Sequence, residues 1–242
     1  MKKEWFEIWF NTGYHDLLYQ HRNEAEAADF IRILLNYLNP AQGASILDAA
    51  CGKGRHAIIL AKSGFEVTGI DLSYKNIREA ILSENDLLSF YQHDMRTIFR
   101  INYFDLIFNF YTSFGYFENE KENLQTMKAF AAGLKKGGRL VIDFFNLSYI
   151  LDHLVEDESK IINGVEFRII KDFSHGYLQK EITVIENGET HLYHEKVKGL
   201  KIADFEIYCK AADLKITSVF GNYTLDPYDE KNSERMILIA EK

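Results

Sequence analysis

The residues of this chain best suited to chemistry begin with two carboxylates, Asp48 and Asp71, at the ends of D-A-A-C-G-K-G-R-H-A-I-I-L-A-K-S-G-F-E-V-T-G-I-D. Gly52 and Gly54 bracket Lys53 near the start, where backbone free of side chains lets a ligand approach the amide groups closely. Asp71 stands seventeen residues beyond Gly54, a position from which a carboxylate accepts from both hydroxyls of a ribose. The chemistry is nucleotide binding. Gly52-x-Gly54-x-x-Ala57 also satisfies the dinucleotide fingerprint, so this stretch alone leaves a nicotinamide cofactor and a second class of adenosine ligand both open. Farther along, Asp94-Met95 and Asn109 each close an apolar run, and Tyr116 sits in the polar-aromatic segment Y-T-S-F-G-Y-F.

These residues need elements to hold them. Ile46 and Leu47 make a short apolar strand ending at Asp48. Ala57, Ile58, Leu60 and Ala61 fall at helical spacing until Gly64, and Phe65 to Ile70 reads as a buried strand that ends on Asp71. A helix is expected over 74–85, then a strand S-F-Y-Q-H-D-M with Asp94 and Met95 at its end. F-D-L-I-F-N-F follows as a fourth strand, apolar enough to be buried on both faces. Ligands of open α/β sheets bind outside the carboxyl ends of the strands, so the loop carrying Tyr116 should open on the same cleft as the glycine turn. A helix over 120–134 leads to L-K-K-G-G-R-L-V-I-D-F-F-N, with Gly137-Gly138 as a turn and a fifth strand over 140–144.

Residues 160–199 change character. R-I-I-K-D-F, Q-K-E-I-T-V-I-E and H-L-Y-H-E-K-V are three β-like runs parted by His175-Gly176 and by the hairpin signal Asn187-Gly188. They read as an antiparallel insertion rather than a separate domain, placed to serve acceptor recognition or dimer formation. His191 and His194 fall on opposite faces of a strand, so no metal site is expected. The chain resumes with a helix over 202–214 and two strands, K-I-T-S-V-F-G-N-Y and R-M-I-L-I-A-E-K. With no helix between them, they imply an antiparallel pair at the end of the sheet. Residues 4–38 read as helical, with Trp5, Ile8 and Trp9 on one face, suited either to core packing or to a lid over the cleft. The expected architecture is a single α/β domain over 1–242. It comprises an N-terminal helical lid at 1–40, a ligand-binding core at 41–150, the β insertion at 160–199, and a C-terminal helix and strand pair at 200–242.

The run D-A-A-C-G-K-G resembles the first motif of class I S-adenosylmethionine-dependent methyltransferases, usually D-x-G-x-G-x-G, with Ala50 in place of the first glycine. L-K-K-G-G-R-L-V-I-D-F-F-N is similar to that family's fifth-strand motif. The reversed last strand also suits its Rossmann-like sheet, whereas a dinucleotide-binding sheet is usually all parallel. The resemblance implies S-adenosyl-L-methionine as cofactor and methyl transfer as the reaction. It implies that Asp71 holds the ribose, Leu72 packs on adenine, and Asp94 with Met95 reads the adenine edge. Ala50, Gly52 and Gly54 would lie close beneath the ligand, Asp48 would support the turn and the methionine amine, and the backbone carbonyl of Asn109 would fall near that amine. Arg22 would pair with the methionine carboxylate, a bidentate task that suits arginine. A turn-capping role is the bland alternative for Asp94. The loop Y-T-S-F-G-Y is similar to that of glycine-type and amino-sugar N-methyltransferases, where a His often stands in place of Tyr116. Tyr116 is therefore the candidate catalytic residue; simple packing with Phe114 and Phe117 is the alternative.

The acceptor is expected to be a small molecule, an amine before an alcohol. A net charge of −8 and a pI near 5.5 argue against a broad nucleic-acid footprint. No N/D-P-P-Y motif and no Pro-Cys pair appear, as base methylation would require. Lys135, Lys136 and Arg139 suit either an RNA- or protein-binding groove or a solvated helix end. Cofactor binding without turnover and nicotinamide-dependent oxidation are the remaining alternatives. The two cysteines, Cys51 and Cys209, cannot build a disulfide framework. The opening M-K-K-E-W-F-E-I-W-F lacks a signal-peptide core, and no stretch approaches the roughly 20 apolar residues of a membrane span. A cytoplasmic monomer or homodimer is expected.

Overall fold

The computed structural model describes residues 4–20 and 24–242. Three helices open the chain, α1 (Trp5–Trp9), α2 (Gly13–Leu18) and α3 (Glu24–Leu38). There follow β1 (Ser45–Ala49), α4 (Arg55–Lys62), β2 (Glu66–Asp71), α5 (Tyr74–Ala80), β3 (Leu88–Gln92), β4 (Phe104–Asn109), α6 (Glu120–Gly133), β5 (Leu134–Phe145) and α7 (Leu147–Asp152). A run of strands comes next: β6 (Asp157–Ile162), β7 (Val165–Ser174), β8 (Tyr177–Glu186) and β9 (Glu189–Lys198). The chain closes with α8 (Ile202–Ala211), β10 (Lys215–Phe220) and β11 (Arg235–Glu241).

The central sheet has seven strands in the order β10-β11-β5-β4-β1-β2-β3. Ile46, Leu47 and Ala49 of β1 and Leu106, Ile107 and Phe108 of β4 are buried on both faces, as unbroken apolar runs require. The order reverses between β1 and β4, and the strands ending there carry the candidate site. The expected antiparallel pair is present, but β11 lies inside the sheet, antiparallel to both β5 and β10, and β10 takes the edge. Ile237 and Ile239 of β11 are accordingly as buried as the centre of the sheet.

Two local expectations change. The helix expected over 74–85 stops at Ala80 and passes into a 3₁₀ turn at Ile81–Ser83. Gly137-Gly138 is not a turn ahead of the fifth strand. β5 already pairs at Phe104↔Leu134, resumes at Leu106↔Arg139, and bulges out the residues between. A Cβ at Gly138 would come within 2.9 Å of the Lys135 carbonyl, which is why the bulge takes glycine there.

The insertion is a separate sheet of four strands, β6-β7-β8-β9, not three. The missed strand enters through Asn163-Gly164, the same Asn-Gly signal as Asn187-Gly188. Both residues of each pair, and of His175-Gly176, have positive φ, as tight two-residue hairpin turns demand. Val165, Phe167, Ile169, Ile182 and Val184 on its inner face form a small core with Trp9 of α1 and Leu18 of α2. Among the described residues no helix is long and apolar enough to cross a membrane.

Candidate functional site

At the carboxyl ends of β1, β2, β3 and β4 lies a cavity of about 720 Å³, walled on its outer side by α1, α2 and the residues just after them. The glycine turn forms its floor. Ala50, where the family's first motif has glycine, adopts φ 60°, and Gly52 adopts φ 57°. An alanine held in the left-handed region is strained, and the turn is pinned from below to keep it there. The Cys51 N–H donates to the Ile70 carbonyl at 2.9 Å, and the Gly52 N–H to Asp71 Oδ2 at 2.8 Å. Asp71 Oδ1 accepts from the Ser73 N–H at 2.8 Å. Asp71 thus ties the turn to the end of β2, and burial raises its carboxyl above the ordinary range despite these two backbone donors.

Asp48 is 1 % exposed. Burial pushes its carboxyl up to about 7; the Ala57 N–H and Arg55 oppose that rise and the charge of Asp71 adds to it. The residue borders the cavity, and its buried Oδ2 has no hydrogen-bond partner. Asp94, also in the wall, is partly buried, yet its carboxyl is held below the usual range by the Arg96 guanidinium and backbone N–H. Arg96 Nη2 meets Asp94 Oδ2 at 2.7 Å, and the same guanidinium binds Glu4 and Glu122. Leu72, Met95 and Tyr116 complete the set of expected residues that reach the cavity.

Two expected residues do not. Asn109 is 0 % exposed and lies behind the wall, where its side-chain N–H donates to the Ala49 carbonyl at 2.9 Å. Gly54 caps the start of α4 with φ 83° and faces Phe90, whose ring an added Cβ would meet at 2.4 Å. Arg22 lies outside the described residues. Tyr116 packs differently from expectation. Its ring neighbours are Trp5 at 5.0 Å, Phe10 at 5.6 Å and Phe6 at 6.1 Å, whereas Phe114 turns into the core against Phe205 and Tyr208. The basic run is engaged at the other end of the sheet: Lys135 pairs with Asp105 at 2.8 Å and Arg139 donates to the Leu38 carbonyl.

Several residues escaped the sequence reading. Asn11 Oδ1 accepts from the Ser73 hydroxyl at 2.6 Å, and Asp16 pairs with Lys53 of the glycine turn at 3.1 Å. These contacts fasten α1 and α2 to the cavity rim. His56, the second residue of α4, is buried and borders the cavity; its ring stacks on Tyr111 at 5.2 Å. The faint signal for it was position, directly after the glycine turn. Tyr111 and Thr112 have φ of 55° and 61°, a strained corner just beyond β4. Buried Asp143 holds that corner, taking the Tyr111 N–H on Oδ2 at 2.9 Å and the Arg235 Nε–H on Oδ1 at 2.8 Å.

No residue of the insertion touches the cavity. It anchors the N-terminal helices instead. Glu195 of β9 accepts from Trp9 Nε1 at 2.8 Å and from the Tyr19 hydroxyl at 2.7 Å, and it pairs with Lys180 of β8 at 2.8 Å. Lys180 also donates to the Tyr19 oxygen at 2.9 Å. Burial works against both charges, but each holds the other ionised, Lys180 pushed up and Glu195 held low. Tyr19 then forms part of the cavity wall.

Comparison with known proteins bears on what this cavity binds. Residues 19–219 match a family described as a methyltransferase domain. A protein named as a putative methyltransferase from Geobacillus sp. (strain WCH70) is 28% identical over 215 residues, covering 83% of this chain and 86% of that one. The dTDP-3-amino-3,4,6-trideoxy-alpha-D-glucopyranose N,N-dimethyltransferase of Streptomyces venezuelae is 30% identical over 219 residues, covering 86% and 91%. Among solved structures, an S-adenosylmethionine-dependent methyltransferase from Clostridium acetobutylicum superposes with a TM-score of 0.80 at 22% identity, covering 94% of this chain and 95% of that one.

Proposed function

This chain belongs to the class I S-adenosylmethionine-dependent methyltransferases, and from that premise we propose that it methylates a small amine, with the cofactor lying along the carboxyl ends of β3, β2, β1 and β4. The observation that carries the placement is Asp48, a buried carboxyl oxygen without a partner in the wall of a cavity large enough for the cofactor and a small acceptor. An ammonium group is what such an oxygen lacks, so the residues present fit the amino-acid end of the cofactor. At the other end Asp71 accepts from the ribose hydroxyls with the lone pairs its backbone donors leave over. Leu72 packs on adenine, and Met95 with Asp94 borders its edge. Ala50 and Gly52 let the ligand lie close to the turn.

The bound cofactor supplies an electrophilic methyl group on a positively charged sulfur. The chain's own residues have to align the acceptor with it and keep water out. Phe6, Phe10 and Tyr116 make an aromatic wall on the acceptor side with Trp5 packed against them, and the Tyr116 hydroxyl hydrogen-bonds the amine so that its lone pair faces the methyl group. The amino-sugar substrate in the name of the Streptomyces venezuelae relative supports an amine acceptor. A phenol with an ordinary pKa near 10 is a poor base, so aim rather than deprotonation is its task.

A thermal-shift experiment tests the cofactor placement. S-adenosylhomocysteine at 100 times its dissociation constant should add about 2.7 kcal/mol of stability, while NADH adds none. Asp71→Ala should weaken that binding by about 1.5–3 kcal/mol, the scale of a charge-assisted hydrogen bond. Asp71→Asn keeps one acceptor oxygen and gives up one backbone bond, so its loss is intermediate. Wild-type affinity in the alanine variant would remove Asp71 from the site. For the acceptor side, Tyr116→Phe keeps the ring and removes only the hydroxyl. It should leave cofactor affinity unchanged and lower turnover of an amine acceptor by up to about 10²-fold, the scale of a misplaced reacting group. Unchanged turnover would reduce Tyr116 to packing.

A further inference from the structure

We infer that His15 is the residue that takes the proton from the acceptor amine. The inference rests on the amine reading above and supplies the base that Tyr116 is not. An alkyl amine is an ammonium at neutral pH, as a lysine side chain is, and has no lone pair to give. Its nitrogen first loses a proton to a ring nitrogen of His15. The electron pair left behind forms the bond to the methyl carbon, and the pair of the broken C–S bond stays on sulfur. The methylated nitrogen leaves as an ammonium, and His15 passes its one proton to water. An imidazole is the side chain that takes and gives a proton near neutral pH.

Position singles it out. Among the described residues three imidazoles border the cavity, those of His15, His56 and His93. His56 is 6 % exposed, and burial, with Arg55 adding to it, drives its ring down to about 3, so it takes no proton at neutral pH. His93 lies beside Asp94, with Nε2 3.1 Å from the Thr97 carbonyl and 2.9 Å from Thr97 Oγ1. His15 stands instead at the aromatic wall. Its ring meets Phe10 edge-on at 4.7 Å, and Phe10 is the neighbour of Tyr116 at 5.6 Å. Trp9, itself held by Glu195, also meets the imidazole edge-on, at 5.6 Å. Thr12 Oγ1 fixes the backbone by accepting from the His15 N–H at 3.2 Å. The side chain keeps 21% of its surface open, which gives the proton a way on to water.

The charges around the ring suit the task. Asp16 Oδ1 lies 3.6 Å from Nδ1, so a carboxylate stands beside the imidazolium as it forms. Burial works against the charge of Asp16, but Lys53 of the glycine turn at 3.1 Å and Lys75 of α5 at 3.4 Å hold its carboxyl below the ordinary range. Both lysines are thus paired with Asp16. Tyr19, 5.1 Å from the imidazole, bonds Glu195 and Lys180; burial and Glu195 push its hydroxyl up to about 12, so it keeps its own proton. Glu7 of α1 borders the cavity too and adds a second negative charge on that side. An imidazole between an anion and an aromatic wall can gain a proton there and lose it again.

Two nitrogen analogues of S-adenosylmethionine test this without knowledge of the acceptor. In both a tertiary amine replaces the sulfur; one carries an aminoethyl arm in place of the methyl group, the other an ethyl arm. Calorimetry above neutral pH should show wild type binding the aminoethyl compound about tenfold more tightly, the scale of one charge-assisted hydrogen bond. That preference should fade as the pH drops and His15 takes up a proton, since imidazolium repels ammonium. His15→Phe, which keeps a ring against Phe10, should bind both compounds alike. His15→Gln, which accepts a hydrogen bond but holds no proton, should keep the preference at low pH. In histidine-labelled wild type the ring nitrogen resonances of His15 should move with the aminoethyl compound, stay with the ethyl compound, and titrate at lower pH in the aminoethyl complex. Resonances that ignore the amine, or a preference that His15→Phe retains, overturn the inference and leave the cofactor placement intact. Wild type that binds neither compound overturns both.

Discussion

Asp143→Ala is expected to lower the unfolding free energy by about 3–5 kcal/mol, the cost of leaving one partner of a buried ion pair without the other. Asp143 is 0 % exposed and its Oδ1 lies 2.7 Å from Arg235 Nη2. Desolvation works against the guanidinium of Arg235, and Asp143 is the charge that offsets it. The same carboxylate accepts from the Tyr111 N–H at 2.9 Å and the Tyr223 hydroxyl at 3.2 Å, while its backbone carbonyl accepts from the Thr112 N–H at 2.9 Å. Arg235 Nη2 in turn donates to Thr112 Oγ1 at 3.0 Å. These bonds hold two consecutive residues in the left-handed region, a conformation worth roughly 1–3 kcal/mol of strain at each. Without them the corner relaxes and moves Tyr111, a cavity residue, so cofactor affinity should fall along with stability. Asp143→Asn keeps the shape and removes the charge, and should sit between alanine and wild type. Urea denaturation measures it; a loss under 1 kcal/mol in the alanine variant would show that the pair and the strained corner are independent.

Glu195→Gln is the second large effect, expected at about 3 kcal/mol. The side chain is 10% exposed and accepts from Trp9, Tyr19 and Lys180 together. Glutamine keeps the volume and one acceptor oxygen, but leaves Lys180 without its counter-charge. Because Trp9 ends α1 and Tyr19 follows α2, the variant should also be cut faster by protease between residues 10 and 20 than wild type, with the core untouched. Replacing the pair outright, Lys180→Met with Glu195→Leu, should recover much of the loss, since an apolar pair of similar volume avoids the desolvation cost. Additivity of the two single changes would end the claim that they act as one unit.

The seven-stranded sheet was legible because its strands are bounded by glycine turns and apolar runs that carry their own signals. The motif residues at the strand ends were legible for the same reason: Asp48, Ala50, Gly52, Asp71, Asp94 and Tyr116 all border one cavity. What escaped depends on contacts between distant parts of the chain. β6 was missed although its turn, Asn163-Gly164, repeats a signal recognised elsewhere, because D-E-S-K-I-I is an edge strand, largely exposed and without apolar alternation. The bulge at Gly137-Gly138 depends on the Phe104 and Asp105 carbonyls of the neighbouring strand, which spacing along the sequence does not reveal. The Asp143–Arg235 and Lys180–Glu195 pairs look like ordinary surface charges until the fold brings them together. His56 drew no notice in the sequence for that reason.

The grip of Glu195 on Trp9 has a consequence for synthesis. The two residues are 186 positions apart, so at roughly 5–20 residues per second the lid is made about 10–40 s before its anchor exists. Helices as short as α1 and α2, of five and six residues, do not persist alone in water. During that interval Trp9 and Leu18 have no inner face of the insertion to cover them, and the chain carries an apolar segment that chaperones or other nascent chains meet first. The strands β1 to β4 and the glycine turn between the first two are all synthesised by Asn109, long before then. The residues of the cleft are made first, and the strand that anchors its outer wall follows much later.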